Sequence, residues 1–275
     1  MLTPGLYVVA TPIGNREDIT LRALDILARA DCVAAEDTRH SGALLKHHGI
    51  EAKLVSLHEH NEERRIPGLL NAIRAGQSVA LISDAGTPLI SDPGFRLVCA
   101  AAEAGLPVHP VPGASAVTAA LSVAALATDR FRFEGFLPAR PAARRKRLES
   151  LAACPVTLAL FESGQRIRAS LDDLLEVFGQ GRKAVICREL TKQFETTLRG
   201  TLGELRAMIE ADPDQRKGEF VVLVDGAGEA GPGLDGLELA AALTEYLPAS
   251  QAARVAAKLS GGSRRDIYAA LKSKR

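Results

Sequence analysis

The sequence Leu81-Ile-Ser-Asp-Ala-Gly-Thr-Pro-Leu-Ile-Ser-Asp-Pro-Gly94 decides how the rest of the chain is read. It grows out of an apolar run, Val79 to Ile82, short enough to be a buried strand. It leads into Phe95 to Ala104, whose apolar residues recur at helical spacing. Most of the stretch is therefore a loop at the carboxyl end of a strand, where ligands bind in open α/β sheets. Gly86 and Gly94 let backbone approach a ligand closely, and Pro88 and Pro93 stiffen the loop so that less entropy is lost on binding. Asp84, Thr87, Ser91 and Asp92 add polar side chains to a segment otherwise flanked by core. An ordinary well-capped connection has the same spacing, so the neighbouring motifs must decide.

Outward from this loop, short apolar runs alternate with helical patterns. Leu6 to Ala10 precedes Leu21 to Ala30, Cys32 to Ala35 precedes Gly42 to His48, and Leu54 to Leu57 precedes Pro67 to Ala75. After the loop and its helix come Val108 to Val111 and a small-residue helix, Ala114 to Leu126. Strands alternating with helices predict a mainly parallel sheet covered on both faces. Every sharp motif in this half follows a strand: Thr11-Pro-Ile-Gly-Asn15, Glu36-Asp-Thr-Arg-His40, His58-Glu-His-Asn-Glu62, the loop itself and Pro112-Gly-Ala-Ser-Ala116.

Near Leu126 to Phe131 the pattern changes. Phe131 to Phe136 alternates like a strand, and Arg144-Arg-Lys-Arg147 leads a helix to Ala152. Val156 to Phe161, Lys183 to Arg188, Thr196 to Gly200 and Phe220 to Val224 read as further strands, with helices at Ile167 to Phe178 and Leu202 to Ala211. The expected organisation is an α/β fold of two α/β domains, residues 1–126 and 127–225, the second richer in antiparallel strands. A glycine-rich linker, 226–236, then leads to a basic helix-turn-helix-like tail, 237–275. Leu237 to Leu247, Ser250 to Leu259 and Ser263 to Leu271 are its three predicted helices, with Gly261-Gly262 as a tight turn.

Net charge is only +1, but from Gln251 onward seven basic residues face one acid, so that segment carries +6 and the remainder −5. This asymmetry suits a nucleic-acid-facing tail; a solvated terminal helix is the plainer alternative. Cys32, Cys99, Cys154 and Cys187 lie far apart with no CxxC pair, which suggests neither a disulfide framework nor zinc. The sequence offers no signal segment and no apolar run near the roughly 18 residues a membrane span needs, so a cytoplasmic setting is expected. The chain has no Trp and 4% aromatic residues, which argues against a stacking platform for single-stranded nucleic acid.

No GxGxxG follows the first strand, so a standard dinucleotide site is not expected, and no Walker A sequence is present. His58 to Glu62 look like metal ligands on paper, but no further cluster supports them and a polar loop is the preferred reading; no metal is expected. Glu36 to His40 gather two carboxylates, a guanidinium and an imidazole just past a buried strand, an expensive collection unless it faces a polar ligand or satisfies itself. Ser163-Gly164 has no histidine partner in a recognisable order, which makes nucleophilic catalysis improbable. The run Arg144 to Arg147 suits phosphates or one face of an exposed helix equally well.

Taken together, the chain resembles the tetrapyrrole methylase superfamily, in the branch that acts on ribosomal RNA. The resembling blocks are Thr11 to Thr20, Ala35 to His40, His58 to Glu62, Ser83 to Gly94, Pro112 to Ser115, Phe136-Leu-Pro138, Glu189-Leu-Thr-Lys192 and Gly218-Glu219. The tail from Leu247 to Leu271 resembles the small helical tail of that branch. One block departs: Leu160-Phe-Glu-Ser-Gly-Gln-Arg166 has Gln165 where family members usually carry a histidine.

The resemblance implies S-adenosyl-L-methionine in the cleft between the domains of a homodimer. It implies methyl transfer to the ribose 2′-hydroxyl of a cytidine in the decoding region of 16S rRNA, within the small ribosomal subunit. Carried over residue by residue, the donor pocket draws on Pro12, Asp84, Gly86, Thr87, Ile90, Ser115, Ala116, Phe161 and Glu219. Because a ribose hydroxyl is a poor nucleophile at neutral pH, a carboxylate or imidazole is expected to take its proton, with Glu36, Asp37 and His40 as candidates. Arg39 and Lys192 are expected to hold phosphate or ribose oxygens, and Arg144, Arg145, Arg254, Lys258, Arg264 and Arg265 to contact RNA. Two alternatives share parts of this pattern: a small-molecule tetrapyrrole-type methyltransferase and a non-catalytic RNA-binding assembly protein.

Overall fold

The computed structural model describes residues 2–227, 236–260 and 262–273. The first half alternates as the apolar runs require: β1 (Gly5–Val9), α1 (Leu21–Arg29), β2 (Cys32–Ala35), α2 (Thr38–His47), β3 (Leu54–Ser56), α3 (Glu62–Arg74), β4 (Ser78–Ile82), α4 (Phe95–Glu103) and β5 (Val108–Val111). The five strands pair in parallel in the order β3-β2-β4-β1-β5. Central β4 is buried along its whole length, and helices cover both faces of the sheet, giving two separate apolar layers. Because β4 lies between β1 and β2, the loops that follow these three strands converge at one edge.

Two helices begin earlier than their apolar pattern suggests. Asp37 caps α2 by accepting from the backbone N–H groups of Arg39 and His40, so the helix takes in the polar Thr38 to Ser41. Helix α3 starts at Glu62 and carries Pro67 in its interior rather than at its start. His58-Glu-His-Asn-Glu62 is what permits this. Asn61 bonds His58 N–H and the Ser56 carbonyl, and buried Glu62 accepts from Leu97 N–H in the first turn of α4. These residues join α3 to α4, and among the described residues no group of His, Cys, Asp and Glu has the arrangement of a metal site.

The second half holds α5 (Ala116–Val123), β6 (Phe131–Phe136), α6 (Pro141–Leu151), β7 (Thr157–Ser163), α7 (Ile167–Phe178), β8 (Lys183–Arg188), β9 (Thr196–Thr201), α8 (Leu202–Ala211) and β10 (Glu219–Val224). The sheet order is β6-β7-β10-β8-β9, with β6 and β7 parallel and every other pair antiparallel. Helix α5, which the sequence pattern assigns to the first domain, packs Val117, Ala120, Leu121 and Ala124 against Ala159, Val185, Val221 and Leu223 of this second sheet. Its apolar face therefore belongs to the second sheet, not to the βα rhythm of the first half.

In the tail, α9 (Gly236–Leu243), α10 (Ala249–Ser260) and α11 (Arg264–Ser273) share a small core of Ala240, Ala253, Ala256 and Ile267. A Cβ at Gly236 would lie 2.6 Å from Ser260 Oγ and 2.7 Å from Ile267 Cδ1, so any larger residue there would push these side chains aside. Most of the predicted linker, and Gly261 of the predicted turn, lie outside the described residues. No described helix is long and apolar enough to cross a membrane.

Candidate active site

The loop from Ser83 to Gly94 is folded by its own sequence and pinned on both sides. Gly86 exchanges two backbone hydrogen bonds with Thr11, at 2.9 and 3.1 Å, and Thr87 Oγ1 donates to the Ala114 carbonyl. Gly86 has φ +84°, and a Cβ there would sit 3.2 Å from Ile13 Cγ2. Leu89 and Ser91 hold φ of 73° and 70° without being glycine, strain of the kind that is kept at binding sites when the surroundings enforce it.

Between the two sheets lies a cavity of about 270 Å³ whose walls come from both halves of the chain. The first half contributes Gly86, Thr87, Ile90, Asp92 and Ser115; the second contributes Ala116 at the start of α5, Phe161, Cys187, Glu219 and Val221. Phe161 is fixed edge-on by Phe133 and Phe136, at ring distances of 4.9 and 5.5 Å. An apolar pocket with a few convergent polar groups, and a positive-φ glycine in its wall, fits a nucleoside with a charged tail. Seven of the nine expected donor residues line this cavity. Pro12 and Asp84 do not: they line a second cavity of about 530 Å³, with Arg16, His40 and Leu44.

The two cavities adjoin, sharing Ile13, Ala85, Lys192 and Glu219. Lys192 reaches this seam from the loop after β8, where Glu189 and Thr191 hold positive φ and Thr191 Oγ1 accepts from Asn15 N–H. Its ammonium bonds Glu189 at 2.9 Å and Glu219 at 2.7 Å. Burial works against its charge, but those bonds outweigh it and push its pKa up. Lys192 is thus already neutralised within the protein.

The expected proton acceptors separate on inspection. Asp37 caps α2 and pairs with Arg39 at 3.0 Å; the Arg39 side-chain hydrogen bond, the largest effect, helps hold its carboxyl at about 2, which makes it a feeble base. Arg39 folds back onto this partner in full solvent. His40 stands exposed at the rim of the second cavity. Glu36 is half-buried, and burial first, then the charge of Asp84, raises its pKa. The sequence reading assigned no role to Asp92. Asp92 lines the first cavity, and its carboxyl is pushed up to about 6, chiefly by burial, with the charges of Glu36 and Asp84 adding to the shift and a Ser83 hydrogen bond opposing it.

Among the expected RNA contacts, Arg144 is corrected by the structure. Its side chain is 3% exposed and its Nε donates to Asp173 at 2.6 Å, because the apolar face of α6 turns this residue into the α6–α7 interface. A phosphate cannot reach it. Arg145 shares Asp173 and stays part-exposed, while Arg254, Lys258, Arg264 and Arg265 are all exposed on α10 and α11. Gln165 is exposed and lines neither cavity, so the histidine missing there removes no group from the site.

Two α/β layers closing on a pocket of this make define a two-domain methyltransferase that takes its methyl group from S-adenosyl-L-methionine. The family model described as Tetrapyrrole (Corrin/Porphyrin) Methylases matches residues 5–206, and the chain belongs to that family. A second model, the RsmI C-terminal HTH domain, matches residues 231–274. The chain is 52% identical over 271 residues to the ribosomal RNA small subunit methyltransferase I of Xylella fastidiosa strain Temecula1, covering 98% of this chain and 99% of that one. It is 48% identical to the protein of the same name from Escherichia coli O157:H7, over 96% of this chain and 93% of that one. Among solved structures, uroporphyrin-III C-methyltransferase of Thermus thermophilus, complexed with S-adenosyl homocysteine, superposes with TM-score 0.54 at 21% identity, covering 81% of this chain and 97% of that one. A conserved hypothetical protein of Aeropyrum pernix K1 superposes with TM-score 0.62 at 19% identity, over 99% of this chain and 96% of that one. These two likenesses concern the fold.

Proposed function

We propose that the chain methylates the ribose 2′-hydroxyl of a cytidine in the decoding region of 16S rRNA, acting as a cytoplasmic homodimer on the small ribosomal subunit. The observation that carries this reading is the pair of adjoining cavities: one suited to the donor, the other wider, edged by Arg16 and His40, and large enough for an extruded nucleotide. The names of relatives about 50% identical along nearly the whole chain support small-subunit ribosomal RNA as the substrate. When bound, the donor supplies a methyl group on a sulfonium, already a good leaving group. The protein's work is therefore alignment and care of the hydroxyl proton. Gly86, Thr87, Ser115 and Phe161 hold the donor, and the Lys192–Glu219 pair forms the seam across which acceptor and donor meet. The exposed cations of α10 and α11 add affinity for phosphates without reading sequence.

The test is transfer of a radiolabelled methyl from S-adenosylmethionine to small subunits lacking their native methylation, followed by nuclease digestion and nucleoside analysis. Label in 2′-O-methylcytidine is the expected result. Label on another nucleoside, or none despite donor binding, overturns the assignment and brings a tetrapyrrole-like acceptor forward. Absence of donor binding by calorimetry points instead to a non-catalytic RNA-binding role.

A further inference from the structure

We infer that Asp92 is the residue that takes the proton from the acceptor hydroxyl, an inference that rests on the ribose-methylating reading above. The argument is one of place. Asp92 is in the wall of the donor cavity, and its nearest charged neighbours are Asp84, which lines the second cavity, and half-buried Glu36. It thus lines the same cavity as the Lys192–Glu219 pair, beside a carboxylate of the adjoining one. The other carboxylates there have other commitments or lie aside. Asp37 caps a helix, Asp84 accepts the Asp37 N–H at 3.1 Å, Glu36 lines neither cavity, Glu162 accepts from Ser170 Oγ and pairs with Arg166 at 3.3 Å, and Glu189 and Glu219 are paired with Lys192 at 2.9 and 2.7 Å. Asp92 is followed by Pro93 and by Gly94 at φ +112°, so its backbone sits in a stiff turn. Its burial, deepened by the like charges of Glu36 and Asp84, raises its basicity toward the operating pH, where a general base works best.

The step balances without a further reactant. The hydroxyl oxygen forms a bond to the methyl carbon, and the carbon–sulfur bond breaks with its electron pair going to sulfur. The O–H proton passes to the Asp92 carboxylate and then to water, leaving a neutral thioether and a methyl ether.

Two measurements test it. In donor-free protein carrying ¹³C-labelled aspartate, the resonance absent from Asp92→Asn should titrate near pH 6, and Glu36→Gln, which removes a facing negative charge, should move that titration downward. The remaining groups of the neighbourhood are Asp84 beside both carboxylates, and His58 and Glu59 facing Glu36. In single-turnover transfer at saturating donor and small subunit, the wild-type rate should rise with pH and then level, with its inflection at or below the donor-free one because the donor's sulfonium favours the carboxylate. Asp92→Asn should be about a hundredfold to ten-thousandfold slower at pH 8 with calorimetric donor affinity within threefold of wild type. If Asp92→Asn transfers within threefold of the wild-type rate, or if it loses only donor affinity and regains full rate at saturation, Asp92 is a donor contact and the inference is overturned. Wild-type label found anywhere but on a ribose hydroxyl overturns the preceding reading and, with it, any hydroxyl proton for Asp92.

Discussion

Lys192 Nζ lies 2.7 Å from Glu219 Oε2, and both side chains face both cavities. With Glu189 also 2.9 Å away, this lysine has more negative charge around it than it carries. A phosphate arriving here would have to displace a carboxylate, so counterion release gains little.

The first prediction follows from that pairing. Lys192→Met should change the slope of log affinity against log salt for small-subunit RNA by less than 0.5, whereas one true phosphate contact contributes about 0.7–0.9. Replacing Arg254, Lys258, Arg264 and Arg265 together by Ala should lower the slope by about 3. Filter binding across a salt series reads both. Equal slopes for wild type and the fourfold variant would remove the tail from RNA binding.

Arg144 makes the contrasting case, a basic residue whose worth is structural. Arg144→Ala leaves Asp173 buried with only the part-exposed Arg145, and breaking such a pair costs about 3–5 kcal/mol, at the lower end where one partner remains. Urea denaturation should show that loss, with the salt slope of RNA binding unchanged in the fraction that folds. Arg145→Ala should cost less than about 1 kcal/mol, because its side chain is 39% exposed.

These two arginines also show how far the sequence could be read. The βα rhythm, the loop after β4 and seven residues that line one cavity follow from local signals: apolar period, glycine, proline and the blocks of family resemblance. Adjacent arginines in one helix carry no mark of which one points inward, since that depends on where Asp173 of α7 comes to rest. The same holds for α5, whose small apolar face suits either sheet until the second one is built. Asp92 lay in the stretch that decided the fold, yet its raised pKa arises chiefly from burial and then from Glu36 and Asp84, which follow β2 and β4, and neither is legible locally. Asp37 is the converse. Its place before Thr38 is a helix-start signal as much as a catalytic one, and the cap claimed it.

Gly94 supplies a prediction about the loop. Its φ is +112°, and a Cβ would lie 2.7 Å from Leu81 Cδ2 in the strand below. Gly94→Ala should therefore destabilise the chain by about 2–4 kcal/mol, combining backbone strain with overpacking of a buried leucine. It should also weaken donor binding, because the Asp92 to Gly94 turn fixes one wall of the cavity. Thermal melting with and without donor separates the two effects: a lower Tm with a smaller donor-induced rise is expected. Gly49→Ala, at φ +68° but with open space around it, should cost only the backbone share, about 1 kcal/mol.

The last prediction concerns stability against pH. The Asp92 carboxyl titrates near 3.8 in the unfolded chain and at about 6 when folded. Between those values the folded chain holds a proton that the unfolded chain has released, so raising pH through this window disfavours the fold. The penalty is absent below pH 3.8 and complete above pH 6. Asp92→Asn keeps an oxygen to accept from Ser83 and removes the charge, so the variant should be more stable than wild type at pH 8 by on the order of 1 kcal/mol. That figure is discounted for solvent screening at a half-exposed group. The advantage should shrink as pH falls from 6 and vanish near pH 4. Urea melts at pH 8.0, 6.0 and 4.5 measure it, and a variant equally stable or weaker at pH 8 would mean that Asp92 is not destabilised by its neighbours. A catalytic group that costs the fold stability at the pH where it is ionised is what a site built for proton transfer requires, since the energy that raises its basicity is the energy the folded chain gives up.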